Sequence, residues 1–536
     1  MRLALSVLIA LVAPATAAAD VGTPALDRPT PASIGIRLPV TGDGDRDATA
    51  TVRYRASDSP DWRDGPALFR VHPEHVRAGG AAEELAGSLF GLEPATAYEV
   101  ELRVTEPGSG LDRTIALIAS TAAVPRRNPA RPRRQPVRSV RALRAALAGA
   151  RPGDVIELEP GVYRGSFSLQ ASGTRDDPIV LRGRSRTRTV LDGRRCRDCN
   201  ILETYGSHVH VEDLTIRHGF RGFKNQGEDT EGLAVRRVRI LDTTLGIGVR
   251  ARSFDSYLCD NVLRGRLRWP RQYAGDGGRH ASDEGIVVWG AGHTVCHNDV
   301  AGYGDALNAG EGDRADDFYG NEVRSAYDNG MEFDFAQGNV RLWENRIQNA
   351  YSPISTQPVN GGPAYIVRNV AVNMVDEPLK FHANGEGRDA LEPSGMLVWN
   401  NTFVSPTAAL LMQTPATAHD FDVRNNLFVG PRRSRFAPFT VVWTGGIDNG
   451  TFDGNGYWPN GEFQFGDTRA DSFAELQQTG IERNGTLLSE FPLKRMKPLT
   501  TWRRTVKPAD ATPKVSVPSG LGAVQRGQRE PHYGPR

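Results

Sequence analysis

Four polar residues occupy short apolar runs in the stretch Tyr303–Phe335, where a buried strand would normally carry none. They are Asp305, Asn308, Glu332 and Asp334. A carboxylate or an amide is costly to bury without a partner, but on an exposed surface it can transfer protons or bind a charged group. We therefore interpret this stretch as the centre of a functional site, provided that the fold brings the side chains to one surface.

The stretch belongs to a series of near-equal repeats. Each copy follows the template apolar–x–x–Asn–x–apolar, with a spacing near 24 residues and occasional insertions. This period predicts one solenoid coil per repeat, and asparagines stacked at one inward turn can bond along the stack. Leucine-rich repeats have a similar period, but their leucine pattern and helices are missing, so a parallel β-helix is predicted. The template position holds Asn261, Asn298, Asn321, Asn345, Asn401, Asn426 and Asn455, with Asn369 in a looser copy and Leu214 and Val238 in two earlier copies.

The composition is that of a soluble protein with many turns. Charged residues make up 24% of the 536 residues, 58 residues are glycine, and the net charge is +2. No global field therefore attracts nucleic acid, and no apolar run is long enough to span a membrane. Residues 1–19 carry Arg2, an apolar run and a small-residue cleavage site, which is typical of a secretory signal peptide. We expect a secreted or periplasmic monomer.

The residues after the signal peptide show short alternating strands. Within 20–123, the run LFGLEPATAYEV from Leu89 to Val100 resembles the corner of fibronectin type III domains, where a tyrosine bonds back to the backbone. The resemblance implies a small β-sandwich with Tyr98 in that position. The Pro/Arg-rich segment 124–137 predicts an extended, solvated linker.

A second resemblance concerns the start of the solenoid. Ser139–Ala150 predicts a short amphipathic helix, and PGDVIELEPGVY follows it. This pattern looks like the N-terminal cap and first turn of right-handed parallel β-helix proteins of the pectin lyase-like type. Gly173–Leu181 resembles the same region of chondroitinase B-like and alginate lyases. We predict an all-β chain with a right-handed single-stranded parallel β-helix over 138–460, preceded by the β-sandwich and followed by a C-terminal cap and irregular tail over 461–536.

The four cysteines suggest two disulfides in an exported protein. Cys196 and Cys199 form a C-x-x-C pair without two further zinc ligands nearby, which favours a short-range disulfide. Cys259 and Cys296 occupy the same position of consecutive coils, where a strand spacing of ~4.8 Å permits a bridge. Two free buried thiols are the alternative for the second pair.

Alternation along the aligned strands separates core residues from outward residues. Glu332 and Asp334 lie two coil steps, ~10 Å, from Lys380 and His382, a span that suits a groove for a linear polymer. The residues predicted to point inward are Ile286, Met331, Phe333, Ile354, Leu379, Phe381, Leu410 and Met412. Those predicted to point outward are Glu332, Asp334, Ser355, Gln357, Lys380 and His382.

The resemblance to chondroitinase B-like lyases implies a calcium site. In those enzymes an asparagine and a Glu-x-Glu pair from adjacent coils hold Ca²⁺, which neutralises the uronate carboxylate of the substrate. Asn308 with Glu332 and Asp334 is similar to that arrangement, and hard oxygen ligands suit Ca²⁺. Simple alternation places Asn308 inward, however, so Asp305 is the substitute ligand.

The same resemblance implies cleavage of an acidic, uronate-containing polysaccharide by β-elimination, which needs a base and an acid besides the neutralised carboxylate. The family's lysine shortly after the acidic pair is absent, since Phe335–Asn339 reads FAQGN. We expect Lys380 and His382 to replace it, with Glu332 and Asp334 as further catalytic candidates. The candidate substrate-binding residues are Arg250, Trp269, Tyr273, His280 and Gln357.

Two other functions remain open at this stage. A β-helical glycoside hydrolase would use paired carboxylates, but the Asn-x-Asp and Asp-Asp signatures of polygalacturonases are not visible in the strands. A non-catalytic glycan-binding or adhesive solenoid fits the signal peptide and the fibronectin-like segment equally well.

Overall fold

The fold is taken from a computed structural model that describes residues 19–75, 83–273, 283–310, 312–357, 359, 361–383, 391–507, 510–514, 517–524 and 531–536. The predicted signal peptide lies outside these residues except for its last position. No helix in the described part is long and apolar enough to cross a membrane.

The N-terminal domain is a small antiparallel β-sandwich with a core of alternating residues such as Ile34, Ile36 and Leu38. The hydroxyl of Tyr98 accepts a hydrogen bond from the backbone N of Glu93 at 2.9 Å, as a tyrosine corner would. The fibronectin type III assignment itself stays a prediction. Its strands are Asp20–Val21, Ala25–Leu26, Ser33–Thr41, Thr49–Ala56, Arg63–Val71, Glu84–Phe90, Ala97–Glu106 and Leu111–Ser120, with a 3-10 turn at Pro73–His75.

A short helix covers the first coil of the solenoid. It spans Val140–Ala148, its N-cap Ser139 accepts a hydrogen bond from the backbone N of Ala142, and Leu143 and Leu147 are buried. The end of the predicted linker, Arg133–Val137, pairs in parallel with Asp154–Leu158, so the solenoid sheet begins within the Pro/Arg segment.

Two long parallel sheets form the body of the chain, which confirms the predicted parallel β-helix. One coil contributes a strand to the first sheet, turns at the template asparagine and then enters the second sheet. The first sheet contains Arg133–Val137, Asp154–Leu158, Ile179–Gly183, Val209–Glu212, Ala234–Arg236, Tyr257–Cys259, Thr294–Cys296, Asp317–Tyr319, Val340–Trp343, Ala364–Val367, Met396–Trp399, Thr417–Arg424 and Gly446–Asp453.

The second sheet bends within each coil, so most coils contribute two strands to it. The second strand of each of these coils belongs to a separate face of the solenoid. Its strands are Gly161–Arg164, Phe167–Leu169, Thr189–Asp192, Asn200–Thr204, Thr215–Asn225, Arg239–Gly248, Val262–Arg264, Ile286–Val288, Asp299–Ala301, Leu307–Ala309, Glu322–Arg324, Asn329–Glu332, Arg346–Ala350, Ser352–Ser355, Val370–Met374, Thr402–Val404, Leu427–Val429, Gly456–Trp458 and Thr486–Leu487.

Shorter elements complete the chain. A helix at Phe473–Gln478 closes the last coil and buries Phe473 and Leu476. The segment after it covers outward apolar residues of the second sheet, for example Leu521 and Leu493 against Val404. The minor strands are Thr230–Glu231, Ser253–Phe254 and Gly290–Ala291 in one sheet and Leu410–Met412, Phe439–Trp443, Glu462–Phe465 and Thr468–Ala470 in another.

The template asparagines form a continuous hydrogen-bonded ladder inside the solenoid. From Asn261 to Asn455, the backbone N and Nδ2 of each asparagine both donate to Oδ1 of the next, at 2.8 to 3.1 Å. At the end of the ladder, Glu482 accepts hydrogen bonds from the backbone N and Nδ2 of Asn455 and from the hydroxyl of Tyr457. The buried turns therefore leave few backbone groups unpaired.

Glu482 makes stability depend on pH. Burial raises the pKa of Glu482 to about 7 in the folded protein, from 4.5. Because the folded-state pKa is the higher one, the stabilisation by protonated Glu482 is complete below pH 4.5 and is lost as the pH rises through about 7. We expect the free energy of unfolding of the wild type, measured in urea relative to Glu482→Gln, to fall over this range. A constant difference between the two proteins would contradict the assignment.

Both expected disulfides are present. Cys196 and Cys199 are bonded with a Cα separation of 5.8 Å, and Cys259 and Cys296 with one of 4.6 Å. The second pair lies in exact register on neighbouring strands of the first sheet. It therefore links two consecutive coils across the insertion that begins after Arg264.

The N-terminal domain docks on the first sheet through a polar and aromatic contact. The hydroxyl of Tyr365 accepts a hydrogen bond from the backbone N of Ser88 at 3.0 Å, and Phe90 packs edge-on against the Tyr365 ring. Nδ2 of Asn339 donates to Asp27 at 2.7 Å. These contacts do not cover the face that is formed by the second strand of each coil in the second sheet.

Candidate functional site

One face of the second sheet carries two parallel columns of outward residues, and we call it the site face. Strand register aligns the first column, and the second column consists of the residues two positions further along the chain, just past the end of each strand. In coil order the first column is Glu203, Lys224, Gly248, Val287, Asn308, Glu332, Ser355 and Lys380. The second column is Tyr205, Gln226, Arg250, Trp289, Gly310, Asp334, Gln357 and His382.

Asn308 faces outward, which corrects the inward orientation that alternation predicted. In strand Leu307–Ala309 the two end residues are buried in the core and Asn308 between them is half-buried. Leu307 pairs with Ile286 and Met331, so the predicted register was wrong by one residue, and such a slip exchanges the two sides of a strand.

Asn308, Glu332, Asn329 and Asp305 form one polar cluster across two coils. Nδ2 of Asn308 donates to Oε1 of Glu332 at 3.0 Å, and Nδ2 of Asn329 donates to Oε2 of Glu332 at 2.8 Å. The backbone N and Nδ2 of Asn329 both donate to Oδ1 of Asp305, at 3.0 and 3.1 Å. Two carboxylates thus share amide donors, and among the described residues no cation is one of their hydrogen-bond partners.

The electrostatics of this cluster favour either protons or a bound cation. Burial raises the pKa of Asp305 well above its ordinary value, and repulsion by Glu332 and Asp328 adds to this effect. Burial together with the Glu332 carboxylate raises the pKa of Asp334 to about 7, while Lys380 opposes that shift. A positive charge placed among these side chains would relieve the repulsion.

Asp334 is held by the next coil. Its Oδ1 accepts hydrogen bonds from the hydroxyl of Ser355 at 2.8 Å and from the backbone N of Gln357 at 2.9 Å. Ser355 is fully buried beneath it, and Oε1 of Gln357 is buried without a hydrogen-bond partner among the described residues. The Gln357 amide therefore has an acceptor that a ligand could satisfy.

Lys380 and His382 follow on the next coil. Lys380 bridges Ser355 in the first column, two coil steps from Glu332, and its side chain is half-buried. Nε2 of His382 lies 2.7 Å from Oε2 of the buried Glu377, and Glu377 also accepts a hydrogen bond from the backbone N of Gln413. The contact between His382 and Glu377 is an ion-pair distance without hydrogen-bond geometry, so Glu377 places a negative charge beside the imidazole of His382.

The predicted substrate-binding residues are divided between this face and its edge. Arg250 lies in the second column, where it pairs with Glu228 at 2.7 Å. Trp269 and Tyr273 pack on Trp502 of the C-terminal segment, with ring centroids 5.7 and 4.5 Å away. Tyr273 also stacks near Tyr351, which precedes strand Ser352–Ser355, so these aromatic residues lie at the edge of the site face. His280 lies outside the described residues.

Sequence reasoning missed three residues of this face: Asn329, Glu377 and Trp289. Trp289 is 40% exposed, and its ring lies against Gly310, where any side chain would collide with the indole. The sequence signal that could have identified Trp289 was its position two residues after Val287, which alternation assigns to the same outward side. The roles of all these residues in binding and catalysis stay predictions.

The donor chemistry of the cluster fits a calcium ion, although its carboxylates are not gathered tightly. Asp305, Asn308, Glu332 and Asp334 offer only oxygen ligands, as Ca²⁺ prefers. Within the described part of the chain, the only acidic group whose ligand atoms all lie within 4.8 Å of one another is Asp43, Asp45, Asp47 and Glu106 in the N-terminal domain. A cation at the site face would have to draw its ligands together.

Three open cavities of the described structure contain no residue of these columns. One of about 680 Å³ is lined by Arg264, Arg324, Arg346 and residues of the C-terminal segment. Its arginines are largely paired, for example Arg324 with Asp299 and Arg346 with Glu322. A shallow groove with outward columns, rather than a closed pocket, is the form expected for binding an extended polymer.

Comparisons with known proteins give only distant similarity to solved structures. No family model and no curated protein matches the chain. Among solved structures, the PL6 family alginate lyase AlyGC is 14% identical with a TM-score of 0.42, over 74% of this chain and 60% of that one. A mannuronic acid specific family 6 polysaccharide lyase from human gut microbiota is 12% identical with a TM-score of 0.40, over 67% of this chain and 91% of that one. The chain thus spans about 60% of the length of AlyGC, and the chemistry must be argued from its own side chains.

Proposed function

We propose that the chain is a polysaccharide lyase that cleaves an acidic, uronate-containing polymer by β-elimination at the site face. The observation that carries the proposal is the alignment, in one column, of the Asn308–Glu332 pair with Lys380 two coil steps away. In such an arrangement the Asn308–Glu332 pair provides a place for the uronate carboxylate, and Lys380 provides a base for the proton on C5, the carbon that carries this carboxylate.

Each step of elimination has a residue of this chain to serve it. Lys380, as the neutral amine, takes the proton from C5 of the uronate, and the C4–O bond breaks as a C4=C5 double bond forms. His382 gives a proton to the leaving oxygen, and the carboxylate of Glu377 lies 2.7 Å from its Nε2. Gln357 offers an amide to the sugar hydroxyls, and Ser355 holds Asp334 in place.

The carboxylate of the substrate must be neutralised before its C5 proton can leave. Asn308, Glu332 and either Asp305 or Asp334 would hold Ca²⁺, and the ion would then supply the positive charge that faces the uronate carboxylate. The raised pKa values of Asp305 and Asp334 support this assignment, because these carboxyls are unfavourable as bare anions at this position.

Metal removal tests this part of the proposal. We expect EDTA to abolish the ultraviolet absorbance of the unsaturated product on whichever of alginate, pectate or chondroitin the protein cleaves, and Ca²⁺ to restore it. Asp45→Ala and Asp47→Ala, which remove the two exposed members of the acidic group of the N-terminal domain, serve as controls and should keep the same dependence. Full activity in EDTA would contradict the calcium site, and reducing ends without absorbance would indicate hydrolysis instead.

A further inference from the structure

We propose that Arg221 and Lys224 form a second anion-binding subsite on the site face, for another acidic group of the same polysaccharide chain. This inference rests on the proposed function and extends it to the length of substrate that the face binds. It concerns the part of the columns that precedes the acidic cluster, in the coils of strands Thr215–Asn225 and Arg239–Gly248.

Gly248 creates the space that the two basic side chains occupy. It lies beside Lys224 in the first column, and a Cβ atom at Gly248 would stand 3.1 Å from Cδ and 3.4 Å from Nζ of Lys224. The same Cβ would lie 3.7 Å from Nε of Arg221. Both cations therefore lie across the bare backbone of the neighbouring coil, side by side and pointing toward the acidic cluster.

Neither side chain is neutralised by an ion pair within the described residues. Nη1 of Arg221 donates only to the amide oxygen of Asn200 at 3.3 Å, whereas the nearby Arg250 is already paired with Glu228. Glu284 attracts both cations and Asp283 attracts Arg221, but neither carboxylate forms an ion pair with them, and Glu284 is itself repelled by Asp283 and Glu332. Burial, with Arg221 and Arg250 nearby, lowers the pKa of Lys224 to about 8, so the amine is still mostly charged at neutral pH.

Two half-buried cations that make no ion pair within the described residues, and have only the longer-range attraction of Glu284 and Asp283, gain most from a ligand anion that pairs with them. Lys224 stands three coil steps from Asn308, through Gly248 and Val287, which is roughly 14 Å at the spacing of parallel strands. That distance exceeds one sugar unit, so the anion belongs to a different sugar from the one at the acidic cluster. The exposed indole of Trp289 lies between the two positions and offers a surface on which an intervening sugar can stack.

The experiment compares long and short substrates. We expect Lys224→Ala and Arg221→Ala each to raise KM for the full polymer about tenfold, with kcat nearly unchanged, since each removes one charge-assisted contact remote from the reacting atoms. With uronate dimers or trimers, which cannot bridge both positions, KM should equal that of the wild type. Lys224→Arg should restore polymer binding. The matched control is Arg252→Ala, which removes an exposed arginine already paired with Asp229.

Retardation of the protein in native gels cast with the polymer gives a readout independent of cleavage. Loss of retardation in Lys224→Ala and Arg221→Ala supports the subsite even if the wild type releases no unsaturated product, in which case only the lyase proposal fails. Cleavage and retardation of both variants like the wild type would overturn the subsite and leave the lyase proposal intact. Equal effects on short and long substrates would also overturn it.

Discussion

Replacing Lys380 by methionine should lower kcat for cleavage of the uronate polymer by about a hundredfold to ten-thousandfold, the range that a general base contributes. Methionine keeps an apolar stem of similar length but has no amine to take the C5 proton. KM should change by less than about threefold, because the carboxylate-binding cluster at Asn308 and Glu332 is untouched. Initial rates of product absorbance over a range of polymer concentrations measure both constants.

The fold gives no reason for this variant to unfold. The backbone N of Lys380 donates to the carbonyl of Ile354, and its own carbonyl accepts from the backbone N of Thr356, both at 3.0 Å. The coil is therefore held by main-chain bonds that the substitution leaves in place. A loss of activity with an unchanged unfolding transition would show that Lys380→Met has lost the catalytic step and has kept its fold.

Two companion variants separate a base from a mere positive charge. Lys380→Arg carries a fixed positive charge and cannot become neutral to accept the C5 proton near neutral pH, so it should be as inactive as Lys380→Met. Recovery of activity in Lys380→Arg would show that the residue acts through its charge. Lys494→Met, at an exposed lysine of the C-terminal segment, should match the wild type. Wild-type rates in Lys380→Met would remove Lys380 from the mechanism.

The repeat could be predicted from the sequence because the period of the coils and the alternation within each strand agree. The spacing of the template asparagines set the coil length, and alternation within each strand assigned Phe333 and Phe381 to the core, where both are fully buried. The same reasoning placed Cys259 beside Cys296, and the two are bonded. Contacts that repeat from coil to coil can be predicted together, because a single strand register determines all of them.

Contacts that do not repeat could not be predicted in this way. Trp269 and Tyr273 pack on Trp502, a contact between an insertion and the C-terminal segment that no period relates. Asn308 was assigned to the wrong side because a one-residue difference between coils changes the side of the sheet. The site is thus predictable where it follows the repeat and unpredictable where an insertion and the C-terminal segment meet at its edge.

Replacing Asn345 by alanine should lower the free energy of unfolding by about 4 kcal/mol, since several buried groups lose their partners at once. Oδ1 of Asn345 accepts from the backbone N and Nδ2 of Asn321 at 3.1 and 2.9 Å, and Nδ2 of Asn345 donates to the carbonyl of Phe318 at 2.8 Å. All these atoms lie at a turn inside the solenoid. Urea unfolding followed by circular dichroism measures the loss. The exposed Asn460→Ala should change stability by less than about 0.5 kcal/mol.

A second position on the ladder separates lost hydrogen bonds from the cavity that the substitution creates. Asn261→Ala removes the same atoms from an equally buried site, but Asn261 begins the ladder, and its Oδ1 accepts only from the backbone N of Val238 at 3.0 Å. The preceding coils already have aliphatic residues at this position, so no side-chain amide there loses an acceptor. If hydrogen bonds dominate, Asn261→Ala must cost less than Asn345→Ala by about the value of one buried donor, ~1–3 kcal/mol. Equal costs would mean that the void governs both variants, and the asparagine ladder would then stabilise the solenoid by packing rather than by hydrogen bonding.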